Sequence, residues 1–78
     1  MKDYDKVMFS CRLRMARIKR KLKQSELAQA VGVSAATISS YERVITPKVP
    51  SLDNAYKISR CLGISLDWLC GIDNDATI

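Results

Sequence analysis

Few residues in this chain could carry covalent chemistry. It has no histidine, and its three cysteines, Cys11, Cys61 and Cys70, are widely spaced with no C-x-x-C pair. That inventory argues against a structural zinc site and against a cysteine nucleophile activated by imidazole. No paired carboxylates sit at a plausible catalytic spacing and no glycine-rich loop could cradle a phosphate, so the chain reads as a non-enzyme with neither cofactor nor metal. Cys61 and Cys70 read as small buried apolar residues. The remaining chemistry is that of cations and hydrogen-bonding groups. Residues 12–23, RLRMARIKRKLK, contain seven Lys or Arg and no acid, within a chain of formal net charge +5. Such a stretch attracts polyanions, although charge alone is equally compatible with a solvated helix face.

The element that would give those cations a purpose is residues 24–43, QSELAQAVGVSAATISSYER. A first short helix is expected from Gln24 to about Val31, with Leu27, Ala28 and Val31 on one face. Gly32-Val33 makes the turn, and Ser34 is placed as the N-cap of a second helix that runs to about Arg43 with Ile38 and Tyr41 inward. Ala28 is small where the two helices must approach. Gly32 can take the positive φ of a sharp helix end. Ile38 supplies a stiff branched wedge between the pair. An Ala, Gly, Ile set at this spacing, with Gln in front, is the pattern of a helix-turn-helix.

The flanking segments read as the scaffold for that unit. Helix 1 is expected from Lys6 to Lys21, with Phe9, Leu13 and Ala16 on its apolar stripe, Leu22 entering the core and Met15 and Ile18 outside it. Residues 1–5 read as a polar tail. The stretch 44–50, VITPKVP, carries two prolines and reads as an extended connection. Helix 4 is capped by Ser51, carries Leu52, Ala55, Ile58 and Leu62 inward and stops at Gly63. Ser65 caps a short helix 5, LDWLC, with Asp67 favourably placed for the helix dipole and Trp68 or Leu69 in the core. The tail, IDNDATI, is acidic. Seventy-eight residues permit one domain, residues 1–78 with a core over 6–71. No apolar run is long enough to cross a bilayer and the start lacks a signal peptide's apolar centre, so a cytoplasmic protein without a membrane partner is expected.

From Phe9 to Gly71, 63 of the 78 residues, the chain resembles the phage-repressor/Cro type (Xre-like) of helix-turn-helix domain. The resemblance rests on Phe9, Arg12, Leu13 and Arg17, on the motif ending in Tyr41-Glu42, on Ser51-Leu52, and on Leu62-Gly63-Ile64-Ser65-Leu66-Asp67 followed by Trp68-Leu69. It implies an all-α, five-helix lambda-repressor-like DNA-binding domain, with the helix-turn-helix formed by helices 2 and 3. Helix 3 would enter the major groove while helix 2 crosses the backbone. The implied DNA-binding residues are Gln24, gripping a phosphate at the start of helix 2, and the groove-facing set Ser34, Ala35, Ala36, Thr37, Ser39 and Ser40. Lys23, Arg43, Lys48 and Arg14 are the expected phosphate contacts. Arg17 is expected to pair with Glu42, tying helix 1 to the motif. Cys11 is expected to be exposed.

Four departures from the family pattern stand out. Lys21 occupies a site often held by Gly, and Lys23 one often held by a Ser or Thr cap. The 44–50 connection is about two residues longer than the common form and lacks its Gly. Helix 3 also offers only methyls and short hydroxyls where relatives often place Gln, Arg or Asn. Modest direct readout is expected, with thymine contacts, water bridges and DNA deformability supplying more of the specificity.

The resemblance implies a sequence-specific regulator of transcription, a repressor acting as a homodimer on inverted-repeat double-stranded DNA. The expected dimer surface is helix 5 and the tail, through Leu66, Leu69, Ile72 and Ile78. Two other readings stand beside it: a protein-interaction module, or an antitoxin-type partner, either retaining the fold with weak or no operator reading and binding an unknown protein. Phage repressor, restriction–modification controller and antitoxin are not separated by these residues.

Overall fold

The computed structural model of the protein describes residues 4–77. Five helices follow one another: α1 (Lys6–Lys19), α2 (Gln24–Val31), α3 (Ala35–Tyr41), α4 (Leu52–Leu62) and α5 (Leu66–Leu69). There is no strand among the described residues. The architecture is the all-α, lambda-repressor-like one.

The helix ends follow from local chemistry. Asp5 caps α1 by accepting the N–H groups of Val7 and Met8, so the tail expected over residues 1–5 is already structured at its last position; residues 1–3 lie outside the described part. Ser34, Ser51 and Ser65 each accept an N–H three residues on, from Thr37, Asn54 and Trp68, and so cap α3, α4 and α5. At α2 the cap is Lys23, whose ammonium has no acceptor to offer. Only the returning half of a capping box forms, with the Lys23 N–H donating to the Glu26 carboxylate at 2.8 Å.

Three ends differ from the sequence expectation. α3 closes at Tyr41, with Glu42 as its C-cap, rather than at about Arg43. α1 stops at Lys19 rather than Lys21, because Lys21 takes φ +57 to turn the chain toward α2. α5 is four residues long and excludes Cys70. Gly32 ends α2 at φ +85, and both Gly32 N–H and Val33 N–H donate to the Ala28 carbonyl, which sets the tight turn into α3.

The core is Phe9, Leu13 and Ala16 from α1, Leu27, Ala28 and Val31 from α2, Ile38 and Tyr41 from α3, Ala55, Ile58 and Leu62 from α4, and Leu69 from α5. Leu52 was expected inward and is 76% exposed. It is the first residue of α4, one turn beyond Ala55, and the stripe there has run past the edge of the core. Leu69, expected either in the core or at a dimer surface, is fully buried, so of the two readings the core one holds for it. Ile78 lies outside the described residues. Cys61 and Cys70 are half-buried rather than buried, and Cys11 is exposed. Trp68 is half-buried.

Arg12 does more than the sequence pattern indicated. Its guanidinium lies 4.8 Å from the Trp68 ring centroid and donates to the Trp68 and Asp73 carbonyls and to the Asn74 side chain. With the Ser65 N–H donating to the Ala76 carbonyl at 2.9 Å, it straps the acidic tail back onto α1 and α5.

Candidate nucleic-acid interface

The site is built on the junction of α1, α2 and α3. Glu42, the C-cap of α3, is buried, its side chain 4% exposed, and a buried carboxylate needs partners. Arg17 supplies them from α1: Nε donates to Oε2 at 2.6 Å and Nη2 to Oε1 at 2.9 Å. This bidentate fork fixes orientation as well as charge. The third nitrogen, Nη1, donates to the Leu22 carbonyl at 2.7 Å, so one guanidinium joins α1, the α1–α2 turn and the end of α3. The hydrogen bond to Glu42 is the main reason the Arg17 pKa is raised above its ordinary value.

Gln24 joins the same cluster. Its side-chain amide donates to Glu42 Oε1 at 3.2 Å, so that group is held in place by the carboxylate and half-buried at the start of α2. Around it lies a polar depression of about 260 Å³ lined by Arg14, Arg17, Gln24, Ser39, Glu42 and Arg43. Because Arg17 neutralises Glu42, the net charge facing solvent there comes from Arg14 and Arg43, both exposed. Lys23, also exposed, immediately precedes α2. Lys48 is exposed in the connection after α3, and its backbone N–H donates to the Ser40 carbonyl at 3.1 Å, tying that loop to the helix end. Thr46 takes φ +47 within the same loop, so a bend interrupts the extended path expected over 44–50.

The outward face of α3 is sparse in free hydrogen-bonding groups. Ala35, Ala36 and Ser39 are exposed; Thr37 and Ser40 are half-buried. Ser34 Oγ accepts the Thr37 N–H at 3.1 Å and lies 2.9 Å from Thr37 Oγ1, so these two hydroxyls share one hydrogen bond. The Ser40 hydroxyl donates to the Ala36 carbonyl at 3.0 Å. Among the described residues, the Ser39 hydroxyl is the one in α3 without an internal partner. The candidates named from sequence thus meet on one face, but their hydrogen-bonding capacity is uneven.

Two supports escaped the sequence reading. Ser10 is fully buried and donates to the Tyr41 carbonyl at 2.7 Å, fastening α1 to the last turn of α3. It falls three residues before Leu13 and seven before Arg17, a helical spacing that was a readable signal. The Asn54 amide donates to the Tyr41 hydroxyl at 3.2 Å, holding α4 to the same turn.

A tight α2–turn–α3 unit, held by a buried ion pair beside free arginines, defines a class. Residues 13–69 match the model of the helix-turn-helix family, and the chain belongs to that family, in its phage-repressor/Cro branch. It is 31% identical over 68 residues to the uncharacterized HTH-type transcriptional regulator YobD of Bacillus subtilis (strain 168). That match covers 87% of this chain, which spans 59% of the length of YobD. Among solved structures it is similar to the P22 c2 repressor in complex with a synthetic operator, with TM-score 0.76, 35% identity and coverage of 83% of this chain and 96% of that one. The restriction–modification controller C.AhdI from Aeromonas hydrophila has TM-score 0.72 and 32% identity, over 81% of this chain and 92% of that one. No helix among the described residues is long and apolar enough to cross a membrane.

Proposed function

We propose that this chain is a sequence-specific, double-stranded-DNA-binding regulator of transcription, a repressor that acts in the cytoplasm as a homodimer on an inverted repeat. The observation that carries the reading is the charge arrangement around α3. Its exposed methyl-and-hydroxyl face is bordered by the free cations Arg14, Lys23, Arg43 and Lys48, while the acid at the junction, Glu42, is neutralised internally. A duplex laid on this face sets α3 in the major groove. The α2 start, with Gln24 and the uncapped N–H groups there, meets a phosphate. The complex of the P22 c2 repressor with a synthetic operator supports double-stranded DNA as the partner by similarity.

Ser34, Ala35, Ala36, Thr37, Ser39 and Ser40 then divide into two kinds of contact. The two alanine methyls suit the C5-methyl of thymine, and the Ser39 hydroxyl can bond a base edge or phosphate. The engaged hydroxyls of Ser34, Thr37 and Ser40 position the helix more than they read sequence. Affinity comes chiefly from phosphate neutralisation and falls with salt at a slope of about −0.9 per phosphate.

Selection of bound duplexes from a randomised pool at two salt concentrations tests this. An enriched inverted repeat containing thymine is the expected result. A pool that stays random while binding vanishes at high salt would leave only polyanion attraction. The engaged hydroxyls of α3 favour one second reading, a module that keeps the fold and binds a protein; binding to no duplex at either salt is the outcome that favours it.

A further inference from the structure

The outer face of α1 is apolar as well as the inner one. Val7, Met15 and Ile18 are 44%, 61% and 52% exposed, and Cys11 is exposed beside them. At about 3.6 residues per turn these side chains fall in one narrow arc, directly opposite the buried Phe9, Leu13 and Ala16. They form a stripe about 16 Å long that presents on the order of 300 Å² of apolar surface, the scale of a patch with a function rather than of scattered residues. On the Met15 side the stripe opens into a hollow of about 190 Å³ lined by Met15, Ala16, Lys19, Ile64, Trp68 and Ala76. On the other side stands Arg14, which also lines the polar depression of the proposed DNA face.

We propose that this face docks an acidic amphipathic helix of a partner protein, and that docking opposes duplex binding because both claim Arg14; the second half of the proposal rests on the DNA reading above. Spacing argues for a helix. Val7, Cys11, Arg14 and Ile18 succeed one another by four, three and four residues, the seam along which two helices pack, with Arg14 as its one charged member. A leucine of the partner fits the adjoining hollow, which exceeds the roughly 150 Å³ that accommodates a benzene-sized group.

Charge decides what kind of helix. α1 contains no Asp or Glu, and both Arg14 and Lys19, which flank the stripe, are exposed. The nearby acids are engaged locally: Asp5 accepts the N–H groups of Val7 and Met8, while Asp73 and Asp75, on the tail that edges the hollow, accept N–H groups of that tail. The complement is a helix with a carboxylate facing Arg14 and others flanking its apolar row. A second copy would instead set Arg14 against Arg14 with no acid on either stripe. A bilayer surface is disfavoured, because the stripe lacks aromatic and leucine anchors and carries a cation in its seam. Arg14 then links the two sites. A carboxylate bonded to its guanidinium removes one of the cations bordering α3 and sets negative charge where a phosphate approaches.

The test uses the full chain, the duplex recovered by selection and a synthetic peptide of about three heptads. The peptide has leucine at a and d, one glutamate in the seam to face Arg14, and glutamate at e and g, where like charges keep it from pairing with itself. The wild-type chain is expected to bind this peptide in calorimetry, and not a peptide of the same residues in shuffled order. Met15→Gln and Ile18→Gln should each weaken peptide binding about tenfold and leave duplex affinity unchanged. Leu52→Gln, at an exposed residue of α4, should alter neither. Saturating peptide should lower duplex affinity about 5–150-fold, and saturating duplex should lower peptide affinity by the same factor. Arg14→Gln should shrink that factor; an undiminished one would overturn the sharing of Arg14. No binding of the peptide, or equal binding of the shuffled one, would overturn the docking surface. Vesicles of phosphatidylcholine and phosphatidylglycerol that pellet the wild-type chain but not Ile18→Gln would overturn it in favour of a bilayer, and a sedimenting dimer lost in Ile18→Gln would overturn it in favour of a second copy. Peptide binding with no mutual effect on the duplex would overturn the antagonism and leave the DNA reading intact. Binding to no duplex of any sequence would overturn the DNA reading, and the antagonism with it, while peptide binding upholds the docking surface.

Discussion

At the scale of single residues, Glu42 and Ser39 show how burial and hydrogen bonding sort side chains into supports and contacts. Glu42 would repel a phosphate on the proposed DNA face, and the Arg17 fork neutralises it by holding the carboxylate inside. Removing one partner leaves a buried charge without compensation, which typically costs 3–5 kcal/mol in fully buried pairs. With the Arg17 side chain 12% exposed, Arg17→Met is expected to destabilise by about 2–4 kcal/mol, read by urea unfolding. Arg17→Met/Glu42→Leu should recover most of that loss if the cost is the orphaned charge rather than the lost contact. Ser39 behaves differently because its hydroxyl has no internal duty. Ser39→Ala is expected to relax base preference at one position by about 1–3 kcal/mol or less, while Ser40→Ala should leave the preference profile nearly unchanged. Competition with single-base variants of the selected site separates the two. Equal effects from both substitutions would mean that Ser40 releases its bond to Ala36 on binding.

At the scale of elements, the helix ends explain both the turn geometry and its residual strain. Lys21 holds φ +57, a left-handed conformation that costs an L-residue roughly 1–2 kcal/mol and glycine almost nothing. Part of any gain from glycine is returned through its more flexible unfolded state. Lys21→Gly is therefore expected to stabilise by about 0.5–1 kcal/mol, a rise in Tm of roughly 2–8 °C for a domain of this size. A fall in Tm would mean that the lysine side chain contributes more than its backbone costs. Gly63 is the opposite case, at φ +67; alanine there is disfavoured by its backbone, while the Arg20 guanidinium lying where a Cβ would project is the end of a flexible, exposed side chain that can move aside. The caps read from sequence at Ser34, Ser51 and Ser65 all form, since capping needs only local backbone. Lys21 stood out only through the family resemblance, as a site often held by Gly, and its positive φ accounts for that preference.

At the scale of the molecule, stability on the alkaline side is linked to the α5 end of the core. Burial, assisted by Asp67, raises the Cys70 pKa, and burial followed by Cys70 and Asp5 raises that of Tyr4. Native protein thus holds these protons more tightly than the unfolded chain. The associated stability is complete below the ordinary thiol range and is lost as pH rises through it toward the raised native value. Unfolding free energies measured from pH 7 to 10.5 are expected to decline, and Cys70→Ala should flatten the first part of that decline. An unchanged slope in the variant would assign the effect to other groups.

The sequence alone determined the five helices, their starts and most of the core, because helical periodicity, serine caps and positive-φ glycines are local properties. It also located the α2–turn–α3 unit, while the pairing of Arg17 with Glu42 across 25 positions was implied by the family resemblance and is formed in the fold. Tertiary packing decided the rest. Leu52 follows the apolar stripe of α4 yet stands in solvent, because where the core ends depends on which other elements lie opposite. Leu69 is buried rather than offered to a partner for the same reason. Arg12 gains its role only when α5 and the tail fold over α1. The α3 hydroxyls look equivalent in the sequence, and only folded geometry shows which are already bonded, since side-chain hydrogen bonds require both groups at contact distance and correct angle.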